Sequence, residues 1–199
     1  MIYGSILAIM QRNLKNLIAY SSVAQIGYIF MGIGLGTPLG LIAAIFHIIA
    51  HGITKACLFI STGTIIMKTG TKKIEHLSGA GKILPVTIAI FTLGGLSMIG
   101  IPLLVGFSSK WNFAQAIMDS GKYWIILILS ISSLLNGLYY LPIPIKAYFS
   151  IDTSRDRDIN LKTSILNELP ILILGACVII FGIFSNPIID LISQIVENL

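Results

Sequence analysis

The sequence predicts an all-α, polytopic membrane protein with about five full transmembrane helices, a partial first helix and one discontinuous helix. Three observations carry this expectation. Of 199 residues, 55% are hydrophobic and only 11% are charged, whereas soluble domains carry about 25% charge. Apolar runs near the roughly 20 residues needed for one crossing recur along the whole length. The basic residues collect on alternating loops. The net charge of +5 is therefore read as topology, and no nucleic-acid footprint is expected, because no exposed segment interleaves aromatic with basic residues.

The elements follow in order. Residues 1–12 form a partial helix. "MIYGSILAIM" rises only about 15 Å, half of a hydrocarbon core. It lacks a basic leader, so the chain reads as starting inside a helix, as a fragment or a split gene product would. Full spans are expected at 17–36, 40–67, 82–119, 122–149 and 165–190. The stretch 82–119 is too long for one straight helix. Its middle, "LGGLSMIGIPLLVGFSSKW", holds Gly94, Gly95, Gly100, Pro102 and Gly106. Proline removes a backbone donor, and broken backbone persists in a membrane only where protein or a wet cavity satisfies it. One discontinuous span with its break near 102–108 is the expectation.

The basic residues test that count. If 82–119 crosses once, three loops share a side. They hold Arg12 and Lys15; Lys68, Lys72, Lys73 and Lys82; and Lys146, Arg155, Arg157 and Lys162. These are ten of the thirteen basic residues, against Lys122 alone on the other side. Such a bias places the basic loops in the cytoplasm and the C-terminus outside. A hairpin at 82–119 would weaken the bias to seven against four. The polar segment "SIDTSRDRDINLKTS" is read as a solvated cytoplasmic connector over 150–164, followed by a C-terminal transmembrane helix within 165–199.

Candidate chemistry lies inside the spans. "HIIAHGITKAC" places His47, His51 and Lys55 four residues apart. Each step of four turns a helix by about 40°, so the three form one slowly drifting stripe about 12 Å long. Histidine titrates near neutral pH, which suits stepwise proton transfer; a structural polar patch between helices is the alternative. Lys110 follows the break, the placement of a site at a discontinuous transporter helix, with snorkelling to the interface as the alternative. Lys15, at the start of a span, either anchors the interface or joins the same row. Ser21, Ser22, Gln25 and Tyr28 line water or hold helices together. Glu168 at a helix entry is explained by the helix dipole. His76 lies in a polar loop and is assigned nothing. Cys57 and Cys177, in separate apolar runs, read as packing.

Enzymatic motifs are not found. HIIAH lacks the glutamate of a zinc helix motif and has no third ligand. There is no GxSxG elbow, no haem pair on facing helices and no nucleotide loop. No catalytic residue, metal or cofactor is expected.

Together, "RNLKNLIAYSSVAQIGYIFMGIGLG", "HIIAHGITKACLF" and "GGLSMIGIPLLVGFSSKW" resemble three consecutive blocks of the antiporter-like proton-translocating subunits. That family includes the large membrane subunits of respiratory complex I, the Mrp-type antiporter subunits and membrane hydrogenase subunits. The likeness is strong over residues 3–120 and loose beyond, through the span pattern and the Glu-Leu-Pro entry at 168–170. It implies that residues 1–149 correspond to the second of two inverted five-helix repeats, with the first helix truncated. It further implies that Lys15, His51 and Lys55 belong to a hydrated polar axis, with His47 one turn along and Lys110 as the terminal lysine exchanging protons with the outer side. The glutamate–lysine pair of a first repeat is not present. The resemblance thus implies other membrane subunits as partners, one supplying that repeat, in a bacterial or archaeal energy-transducing plasma membrane. The implied function is proton translocation, with sodium/proton antiport kept open. A pump module of a redox-driven quinone oxidoreductase or membrane hydrogenase is the second reading, and an inactive structural remnant the third.

Overall fold

In the computed structural model the described residues are 1–149 and 165–198. The expected loop at 150–164 lies outside them. The described residues form helices α1 (Ile2–Ile9), α2 (Leu14–Gly34), α3 (Pro38–Thr69), α4 (Ala80–Ile83), α5 (Pro85–Ile99), α6 (Val105–Asp119), α7 (Trp124–Tyr140), α8 (Pro142–Phe149), α9 (Ile165–Ile183) and α10 (Asn186–Glu197), with a 3-10 turn at Ile74–His76. No strand longer than an isolated bridge occurs among them.

Local chemistry explains the boundaries. Asn13 caps α2, its side chain accepting from Lys15 N at 3.1 Å. Thr37 caps α3 in the same way through Gly40 N, and Pro38 fits the first turn, where its missing N–H costs nothing. Gly70 ends α3 in the left-handed region at φ 68°, a conformation that glycine adopts without Cβ strain. We expect Asn13→Ala to lower stability by about 1 kcal/mol, read as a lower melting temperature of the detergent-solubilised chain.

Helix α3 is the central post, packed against α2, α5, α6, α9 and α10. The segments before α2 and after α3 are tied together, with Leu14 N donating to Lys72 O at 2.9 Å and Ile74 N to Arg12 O at 3.0 Å. Tyr148, at the end of α8, donates to Pro85 O at the start of α5. The segments carrying Arg12, Lys72, Lys82 and Lys146 therefore gather at one end of the bundle. At the other end, Lys122 Nζ donates to Leu35 O at 3.2 Å. The α5–α6 pair runs from the first end to the second, as the single broken crossing requires.

Three details differ from the sequence reading. The break is at Gly100–Leu104, two residues earlier than the near edge of the expected 102–108. Gly100 at φ 97° already stops α5, and Pro102 follows. Gly106 is thus not in the break but in the first turn of α6. Second, α2, α3 and Trp124–Phe149 are each long and apolar enough to cross alone, whereas α5 has 15 residues and reaches the far end only with α6. Third, the C-terminal span is not one helix. α9 and α10 meet at a 70° bend. Pro187 sits in the first turn of α10 and cannot donate back to α9, so the chain turns there. A second discontinuity is the result.

Candidate functional site

The buried polar groups of α2, α3, α6 and α7 converge on two lysines. Lys55, 6% exposed, sends its amine from α3 to α2. It donates to Ile18 O at 2.8 Å and to Ser21 Oγ, and reaches Tyr140 OH at 3.3 Å. Ser21 Oγ in turn donates to Ile18 O at 2.8 Å and lies 2.9 Å from Tyr140 OH. Every acceptor around this amine is neutral.

One turn back along α3 stands His51, and another turn back His47. Their rings are parallel within 3° with centroids 6.0 Å apart. This is the stripe expected from the spacing of four. His47 Nδ1 shares a 2.7 Å hydrogen bond with Ser109 of α6, and its ring also packs against Tyr28 and Phe113. A small cavity is lined by Gln25, His47, His51, Thr54, Ser97, Met98 and Lys110 among others, and leaves about 10 Å³ for the centre of a water-sized sphere. That is about the room one water needs. His51 Nε2 and Gln25 Nε2 are buried without a hydrogen-bond partner among protein groups.

Lys110 closes the row. Its amine folds back over the break to donate to Met98 O and Ile99 O at 2.9 and 2.8 Å, and to Ser133 Oγ of α7 at 2.9 Å. It also lies 5.5 Å from the centroid of the Tyr28 ring. The two carbonyls belong to the last turn of α5, where a helix leaves its acceptors unpaired and where the dipole favours a cation. The break thus makes the lysine's resting place. Gly106 lets α6 approach α5 here: its N donates to Ser97 Oγ at 3.1 Å, and a Cβ would overlap the Ser97 carbonyl oxygen. Leu103 takes φ 72° within the break, a conformation that costs a residue with a Cβ roughly 1–2 kcal/mol.

The structure brings together His47, His51, Lys110, Gln25 and Tyr28 at the cavity or beside it, and Lys55 with Ser21. Lys15 stands apart, exposed on the first turn of α2, one turn before the Ile18 carbonyl that holds Lys55. Ser22 donates back to Ile18 O at 3.3 Å and is half-buried, which ties it to its own helix. Glu168 lies in the first turn of α9, the dipole-favoured position that explained it. Cys57 is buried and free.

Several members of the site are absent from the sequence reading: Ser109, and on α7 Ser133, Asn136, Tyr139 and Tyr140. A signal exists. In "SSLLNGLYY" polar groups recur at steps of three and four, the spacing of one helix face. Hydroxyls and an amide are common as glue between membrane helices, so the pattern by itself names no station. Nor does either lysine make an ion pair with a described residue, and no cluster of metal-ligating side chains occurs among the described residues.

The sequence and the fold also match known proteins. The family model described as NADH:quinone oxidoreductase/Mrp antiporter, TM matches residues 1–136. NADH-quinone oxidoreductase subunit N of Desulforudis audaxviator is 34% identical over 97% of this chain and 41% of its own length. An Na(+)/H(+) antiporter subunit of Alkalihalophilus pseudofirmus is 32% identical over 94% of this chain and 26% of its own. Among solved structures, a chain of the Mrp complex from Dietzia sp. DQ12-45-1b superposes with a TM-score of 0.87 at 25% identity, over 100% of this chain and 45% of that one. The chain therefore spans less than half the length of these relatives. By the family match over residues 1–136 and the relative 34% identical over nearly all of this chain's length, this chain belongs to the NADH:quinone oxidoreductase/Mrp antiporter transmembrane family.

Proposed function

We propose that the chain is a proton-translocating membrane subunit of a multisubunit complex, carrying protons along Lys55, His51, His47 and Lys110. One observation carries this reading: two buried lysines at the ends of a stacked histidine pair, neither neutralised by a described carboxylate. An ionisable group inside a membrane is costly, about 3 kcal/mol on insertion scales. Four such groups in one row are economical only if their charge is used. The row is built from nitrogen bases, which accept and release protons, whereas hard cations take oxygen ligands. Proton movement is thus favoured over a bound sodium ion, and antiport of sodium would need oxygen ligands from elsewhere.

The reading includes other membrane subunits of the complex, among them a partner that carries a first five-helix repeat. In that arrangement residues 1–149 act as the second five-helix repeat. The polar end of the bundle with Arg12, Lys72, Lys82 and Lys146 faces the cytoplasm of an energy-transducing plasma membrane, and Lys110 exchanges protons toward the outer side. Lys15 would then lie at the edge of the row facing that partner. The 34% identity to a quinone oxidoreductase subunit supports a second reading, in which the complex is driven by a redox reaction in other subunits.

The test is proton flux in proteoliposomes holding the intact complex. Lys110→Ala is expected to reduce flux to the background of empty liposomes, with the complex assembled. Flux at the parental rate would remove the proposal. Dependence of that flux on sodium separates antiport from proton transport alone.

A further inference from the structure

Helix α7 places a second line of polar groups beside the histidine row. Asn136 is fully buried and uses both halves of its amide. Its Nδ2 donates to Met98 O at 3.0 Å, and its Oδ1 accepts from Tyr139 OH. Met98 O is the same carbonyl that accepts from Lys110 Nζ. The Tyr139 ring packs 4.8 Å from the Tyr140 ring, and Tyr140 OH touches Lys55 Nζ and Ser21 Oγ. Asn136 therefore stands between the surroundings of the two lysines.

We propose that Asn136 is a positioning residue for Lys110. Its amide holds the Met98 carbonyl at the break, so that Lys110 has one defined resting place against α5. A carbonyl has two lone pairs; Asn136 occupies one and leaves the other for the lysine. The orientation of the amide is set by the Met98 carbonyl, which can only accept, so Nδ2 faces it and Oδ1 is left to accept from Tyr139 OH. Without this clamp the last turn of α5, which ends at a left-handed glycine and has no further helical partner for its carbonyls, would be free to re-aim Met98 O. The inference rests on the proton-carrying role of Lys110.

The groups facing Lys110 that can change charge or polarity are His47 and His51 of α3 across the cavity, Tyr28 of α2, and Tyr139 of α7 through Asn136. Moving the amine relative to these bases alters the pH range over which it works. A residue that merely packs would not change that range.

The experiment measures proton flux against pH in proteoliposomes containing the intact complex, for the parent, Asn136→Leu, Tyr139→Phe and Lys110→Ala. Asn136→Leu is close in shape and removes the amide. It is expected to lower flux about tenfold, the scale of one lost buried hydrogen bond, and to shift the pH midpoint. Tyr139→Phe deletes only the hydroxyl that anchors the amide oxygen. It is expected to shift the midpoint in the same direction with a smaller loss, and it serves if Asn136→Leu does not assemble. A pH profile unchanged in Tyr139→Phe and in any assembled Asn136→Leu, with Lys110→Ala inactive, overturns the positioning role alone. Parental flux in Lys110→Ala overturns the transport reading and this inference with it.

Discussion

Replacing Lys55 with methionine is expected to reduce proton flux to background while leaving the chain folded and assembled. The two outcomes have separate physical origins. Methionine keeps most of the length and volume of the side chain, so the packing between α2 and α3 survives. The acceptors left behind are not orphaned: Ser21 Oγ still donates to Ile18 O and still meets Tyr140 OH. Removal of an ionisable group from the membrane interior relieves a cost of about 3 kcal/mol, so the melting temperature of the variant should equal or exceed that of the parent. Transport, by contrast, loses a station for which no other described base can substitute. His51 lies one turn away, but it faces the cavity with Lys110 rather than the Ser21–Tyr140 cluster. Flux measured in proteoliposomes, with melting followed in detergent, separates the two effects. A variant that transports normally would remove Lys55 from the row, and one that unfolds would make it a structural residue.

The second large effect is expected on folding. Gly106→Ala should prevent normal accumulation of the chain in the membrane. The added methyl would meet the backbone carbonyl of Ser97, which cannot rotate away as a side chain would. α6 must then retreat from α5, breaking the bond from Gly106 N to Ser97 Oγ and separating Lys110 from the carbonyls of Met98 and Ile99. Overpacking in a tight core costs about 1–3 kcal/mol, and the unpaired backbone groups at the break add to it, since lipid offers them no partner. Abundance in isolated membranes checks this result. Gly34→Ala is the control, because nothing lies within 4 Å of a Cβ there, and it should accumulate normally.

On the proposed pathway Lys110 has two tasks. As a cation at the C-terminal end of α5 it complements the helix dipole, and as a base lining the same cavity as His47 it would exchange a proton toward that ring. When it releases that proton, the attraction to the two carbonyls weakens. The break is then held by Asn136 and by Gly106, neither of which titrates. A geometry that survives the change of charge is what a repeating cycle requires.

The amino-acid sequence by itself determined the fold class and the central row. Apolar runs in a chain with 11% charge leave helices as the way to satisfy a backbone in lipid. A spacing of four puts His47, His51 and Lys55 on one face whatever the neighbours are, because the period belongs to the helix itself. Glycines and a proline between Gly94 and Gly106 announced a break for the same local reason. Only the tertiary structure decided where Lys110 rests, since its partners Met98 O and Ser133 are 12 and 23 residues away, and no local period relates them. It also decided that α7 belongs to the site and that Lys15 stays at the edge. Pro187 permits a turn between α9 and α10, and the packing of α10 on α3 sets its direction and its 70°. A hydropathy pattern records how apolar a segment is, and it carries no record of the direction in which the next helix leaves.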